Sequence, residues 1–151
     1  GDLDGDATIV ATKAQSVDVF VWKVTNGVVN PTPQKYAFPV ATPSYYWNVV
    51  PMPVGMTGYM GFFSTSATNG LIWMNSTMGE VSRSSGVRTS GGDVITINGR
   101  VYVAYTAYSG DQKGVMRICD ITDGKYNQIF NYTMEASGAN GNSTASACLT
   151  I

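Results

Sequence analysis

The tetrapeptides "VTNG" (Val24–Gly27) and "ITDG" (Ile121–Gly124) are almost the same four residues, each placed after an apolar run and before more strand-like sequence. Asn-Gly and Asp-Gly favour tight hairpin corners, because a type I′ turn needs positive φ at both central residues. A third corner, "TMG", ends at Gly79. The three corners therefore close at Gly27, Gly79 and Gly124, 52 and 45 residues apart. Ahead of them stand "VDVFVWKV" (17–24), "NGLIWMNS" (69–76) and "GVMRICDI" (114–121). Each of these follows an earlier apolar run: "ATIVATKA" (7–14), "GYMGFFST" (58–65) and "RVYVAYTA" (100–107). A fourth such run, "ASACLTI", covers 145–151.

More polar, edge-like runs follow the corners ("QKYAFPV", "GEVSRSS", "YNQIFNYT"), and short strands, "YYWNVVPM" and "DVITING", precede the later units. Four strands recurring every 40–50 residues or so is the period of propeller blades. No stretch carries sustained helical periodicity. The expectation is an all-β chain, residues 1–151 forming one β-propeller segment. Its approximate blades are 1–40, 41–90 and 91–136, with 137–151 beginning a further blade. About three blades cannot close a ring, since propellers need about four to eight, so the arc reads as a fragment of a larger propeller. The alternative is a β-sandwich of similar composition, which gives no reason for three corners in phase.

Composition narrows function mainly by exclusion. Charged residues are 13% of the chain and the net charge is -1, so there is no electrostatic footprint for nucleic acid or an anionic membrane. No apolar run is long enough for a transmembrane segment. Histidine is absent, which removes the commonest general base, the usual nucleophile pairs and the commonest zinc ligand. The two cysteines, Cys119 and Cys148, lie in apolar runs and read as buried free thiols rather than a disulfide. No cofactor is expected.

The combination "GDLDGDATIVAT…VFVWKVTNGVV…KYAFP", with sparse charge and blade-like repetition, resembles the propeller domains of uncharacterised Bacteroidetes surface lipoproteins. The likeness covers mainly residues 1–39, with a weaker echo at 100–125, and its motifs are structural. It implies a carbohydrate-binding or peptide-binding accessory of nutrient uptake on the extracellular face of the bacterial outer membrane. Transporter components would then be partners, and no catalytic residue is carried over.

Asp2, Asp4 and Asp6 alternate in "GDLDGDATI", as in calcium loops, and the pattern is similar to the calcium motif of integrin-like propellers. Calcium wants about six to eight oxygens, and Ala7 and Val10 stand where that motif continues, so a polar turn is the expectation. Trp22 and Trp73 sit at near-equivalent places in the repeat and are expected to pack in the core. Tyr45, Tyr46 and Trp47 cluster in an inter-blade loop and are the candidate ligand contacts, aromatics being suited to gripping sugars or peptides. Arg83, Arg88, Arg100 and Arg117 read as a solvated face, and the carboxylates show no recognisable glycosidase spacing. The leading expectation is a non-catalytic surface module that captures glycan or peptide ligands. The alternatives are a polysaccharide-acting propeller enzyme, lyase or hydrolase, and a purely structural link.

Overall fold

A computed structural model of the chain describes residues 6–41, 46–65, 68–108 and 114–133, and for residues 46, 47, 90 and 108 it describes the backbone alone. Every regular element among them is a strand, and they form three antiparallel sheets, each following chain order. The protein is all-β.

The first sheet holds β1 (Ala7–Thr12), β2 (Asp18–Thr25), β3 (Val28–Val29) and β4 (Gln34–Ala37). β1 lies along one edge of β2. Both β3 and β4 pair with the other edge, through Val24↔Val29 and Val21↔Gln34. They are one rank of strand interrupted at "NPTP", where neither proline can donate to a ladder. The second sheet runs β5 (Tyr46–Pro51), β6 (Tyr59–Ser64), β7 (Asn69–Met74) and β8 (Glu80–Ser85). The third runs β9 (Arg88–Ile97), β10 (Arg100–Tyr108), β11 (Gly114–Asp120) and β12 (Asn127–Thr133). By position, β1, β6 and β10 correspond, as do β2, β7 and β11. The first sheet has no described counterpart of β5 and β9.

The second sheet is packed on both sides, and β6 ("YMGFFS") is buried at every residue. Alternation along the strands sends successive side chains to opposite faces. Tyr59, Phe63, Ile72 and Met74 meet Val19, Val21 and Phe38 of the first unit. Met60, Phe62 and Leu71 meet Val103, Tyr105 and Cys119 of the third sheet. Each fully buried large apolar side chain here contributes about 1.5–3 kcal/mol.

Two glycines shape these interfaces. A Cβ on Gly61 would stand 2.3 Å from Phe38 Cε2, and one on Gly92 would stand 2.5 Å from Phe62 Cε1. A bare backbone therefore receives an aromatic ring from the preceding unit at both junctions. Phe38 then meets Phe63 edge-on, centroids 5.6 Å apart at 62°, the geometry that aromatic quadrupoles prefer.

The three corners occupy equivalent places, each leading to the outer rank of its sheet, but they are built differently. Asn26 and Gly27 both have positive φ (49° and 74°), a two-residue type I′ turn between β2 and β3. The corner between β7 and β8 puts its positive φ on Met78, and Asn75 Oδ1 accepts from the Thr77 and Gly79 amides at 3.0 and 2.8 Å. The corner between β11 and β12 is closed by Gly124 N–H donating to the Ile121 carbonyl, with Gly124 at φ 79°. A second type I′ pair, Asn98 and Gly99, joins β9 to β10.

Trp22 and Trp73 depart from the expectation that they pack alike in the core. Trp73 is half-buried against the cluster between the second and third sheets. Trp22 lies opposite Ile9, one residue from the inward-facing Val21, so it points away from the second sheet and rests near Phe20, centroids 6.3 Å apart. Trp22 is five residues before its corner glycine and Trp73 six before. In a strand, one residue of offset exchanges the faces.

Candidate functional site

Tyr45 lies outside the described residues. Tyr46 and Trp47 open β5, their backbones paired with Ser64 and Phe63 at the edge of β6. This is the end of the second sheet where Thr65 and Thr68 close the β6–β7 turn, Thr65 Oγ1 accepting from the Thr68 amide at 2.8 Å.

Asp2 and Asp4 also lie outside the described residues. Asp6 stands at the entry to β1, and its Oδ1 accepts from the Asn26 amide at 2.8 Å, tying the start of β1 to the β2–β3 corner. Among the described residues, no three His, Cys, Asp or Glu side chains gather as a metal site.

Three of the arginines serve the scaffold. Arg83 donates to both oxygens of Glu80, at 3.1 and 2.7 Å, and to the Pro39 carbonyl at 3.0 Å, while its guanidinium sits 5.6 Å from the Phe63 ring centre. Arg100 donates from Nε to Asp120 Oδ2 at 2.7 Å. Asp120 Oδ1 accepts from the Thr122 hydroxyl at 2.7 Å and from its amide at 3.0 Å, and the same hydroxyl accepts from the Val101 amide at 2.9 Å. The Thr122 hydrogen bonds first, then Arg100, hold the Asp120 carboxyl below the usual carboxylate range. Arg117 donates to Asn131 Oδ1 at 2.9 Å.

Cys119 is a free, buried thiol, 3.9 Å from the Tyr105 hydroxyl. Burial raises the pKa of both groups, Tyr105 to about 12. A protonated thiol in an apolar interface has none of the thiolate character of a nucleophile. Cys148 lies outside the described residues.

An open cleft of about 420 Å³ lies between the first two sheets, at the opposite end of β5 from Tyr46. Thr8 and Lys23 supply one wall, and the β5–β6 loop from Pro51 to Met56 supplies the other. Lys23 is exposed, and its Nζ donates to Thr8 Oγ1 at 3.0 Å, so the ammonium lies over β1. The loop is preformed. Met56 N–H donates to the Pro53 carbonyl at 3.0 Å with Gly55 at φ 87°, a turn that places positive φ on its third residue. Met52 N–H donates to the Gly58 carbonyl at 3.0 Å beneath it. Val54 at the tip is 75% exposed. The sequence signal for this wall is "PMPVGM", a Pro-x-Gly turn with apolar residues at its tip.

No protein-family model matches the chain, and no curated protein matches it significantly. No helix among the described residues is long and apolar enough to cross a membrane.

Proposed function

We propose that the chain is an arc of a β-propeller. It would act as a non-catalytic binding and scaffold module, capturing glycan or peptide ligands on the extracellular face of a bacterial outer membrane, within an uptake complex. The observation that carries this reading is the stack itself. Three sheets, each in chain order, lie face to face, one layer more than a two-sheet sandwich has. β5 touches β1, the innermost described strand of the first sheet, and β9 touches β5 and β6, as the inner strands of adjoining blades would. Ile9 on the outer face of the first sheet and Phe130 and Tyr132 on that of the third stay exposed, a pattern suited to further blades. The surface-lipoprotein setting rests on the sequence resemblance alone.

Capture is tested by screening the full chain against immobilised glycan and peptide arrays, with a parallel turnover assay on the same polysaccharides. Saturable binding without turnover is the expected result. Chain cleavage would replace capture with the polysaccharide-acting enzyme, and absence of binding on both arrays would leave the structural-link reading. Tyr45→Ala and Trp47→Ala report whether the aromatic segment contributes: a hot-spot aromatic costs about 2 kcal/mol or more of binding.

A further inference from the structure

The cleft between the first two sheets combines features that no part of the scaffold uses. Its volume, about 420 Å³, falls in the usual range of about 300–1,000 Å³ for small-ligand sites. Lys23 sits at its edge with a neutral hydroxyl as partner, and no described carboxylate stands within ion-pair distance of it. The other cations with ion pairs, Lys35, Arg83 and Arg100, are each committed to an acid of the scaffold. Asp6 shares the cleft, and its Oδ1 accepts from the Asn26 amide. Facing Lys23, the Pro53–Met56 turn holds Val54 out into solvent on a backbone whose hydrogen bonds are already made. An exposed apolar side chain on a preformed turn beside a cleft is an unused contact surface.

We infer that this cleft binds a short peptide bearing a carboxylate beside an apolar side chain. The carboxylate is received by Lys23, and the apolar side chain by Val54 at the loop tip. The Lys23 ammonium retains donors beyond the one given to Thr8, since an ammonium carries three. The loop wall is aliphatic, and none of the described lining residues is aromatic. That favours a peptide over a sugar ring, which stacks best on aromatic faces. The inference rests on the capture reading and specifies its ligand and place.

The test is a titration of the isotope-labelled full chain, followed by backbone amide shifts, with three probes. These are the capped pentapeptide Gly-Leu-Asp-Leu-Gly, its Asn counterpart, and oligogalacturonate. The expected result is saturable shifts at Thr8, Lys23 and Met52–Met56 with the acidic peptide, and affinity at least about tenfold weaker for the Asn peptide, the loss of one charge-assisted contact. Lys23→Gln, an exposed substitution, should weaken the acidic peptide equally and leave the remaining amide spectrum unchanged. Binding of the acidic peptide that ignores Lys23→Gln, or shifts confined elsewhere, would overturn the site while leaving capture intact. Oligogalacturonate binding at the cleft in preference to the peptide would overturn the ligand class. No shift with any probe would overturn the inference, and array binding surviving elsewhere would show that capture stands without it.

Discussion

Replacing Phe38 with alanine should reveal how the first two sheets hold together. The ring is 2% exposed, sits over Gly61 and meets Phe63 edge-on. Truncation to Ala of a ring buried this way costs about 3–5 kcal/mol, a large share of the roughly 5–15 kcal/mol that holds a domain folded. With a urea m-value of about 2 kcal/mol/M, the midpoint should fall by roughly 2 M. Gly61→Ala is the informative partner. Its new Cβ would lie 2.3 Å from Phe38 Cε2 and 3.1 Å from Met74 Cε, and only the methionine end can swing aside. Overpacking of this kind costs about 1–3 kcal/mol in the wild-type chain. With Phe38 already truncated, only the flexible end of Met74 remains in reach. The glycine's φ is outside the left-handed region, so alanine should then stabilise by up to about 1 kcal/mol through the unfolded state. The sign of the Gly61→Ala effect should reverse between the two backgrounds, a coupling above about 1 kcal/mol in a double-mutant cycle measured by urea melts. Additive single and double mutants would refute the ring-over-glycine account of this junction.

Asp120→Asn should lower the thermal midpoint more at pH 7 than at pH 3. The folded-state pKa of Asp120 is depressed, so its contribution is present above the unfolded value near 4 and fades as pH falls through the folded value; a pH-independent loss would count against the Thr122–Arg100 network. Tyr105 works in the other direction. Its pKa is raised to about 12, so the stability held by the neutral phenol is complete below about 10 and lost as pH climbs through the folded value. Alkaline unfolding followed at 295 nm should begin in that window, and Tyr105→Phe should flatten its pH slope in part, because burial raises Tyr126 and Tyr59 as well. Added EDTA or millimolar calcium should leave the thermal midpoint unchanged; a midpoint rising with calcium as mass action demands would show that Asp2, Asp4 and Asp6 do complete a site.

The repeat was legible because strand alternation and turn chemistry are local. "VDVFVWKV", "NGLIWMNS" and "GVMRICDI" became β2, β7 and β11, and the corners after them open the outer ranks. What local pattern could not carry was which face a residue takes. Trp22 and Trp73 look alike in sequence, yet one residue of difference before the corner places them on opposite sides. The pairing of Phe38 with Gly61 was also hidden, because an ordinary-looking glycine inside "YMGFFS" acquires meaning only when a ring from another unit arrives. The cleft is hidden in the sequence for a related reason. Lys23 and the Val54 turn are some thirty residues apart and come together only across two sheets.

The interruption between β3 and β4 has a consequence for how the chain behaves in a crowded solution. An unbroken outer rank would present a row of free amides and carbonyls to any passing strand, the template from which edge-to-edge aggregates grow. "NPTP" removes two of those amides, at Pro31 and Pro33, and Asn30 turns its N–H inward to the Lys23 carbonyl while its Oδ1 accepts from the Thr32 amide. The outer rank of the third sheet, β12, has no proline: "NQIFNYT" is uncharged and exposed at every residue, and only a bulge at Ile129 interrupts its pairing with β11. Self-adhesion should therefore differ between these outer ranks, with the proline-broken one blunt and the regular Phe130–Thr133 half of β12 the place where copies first stick.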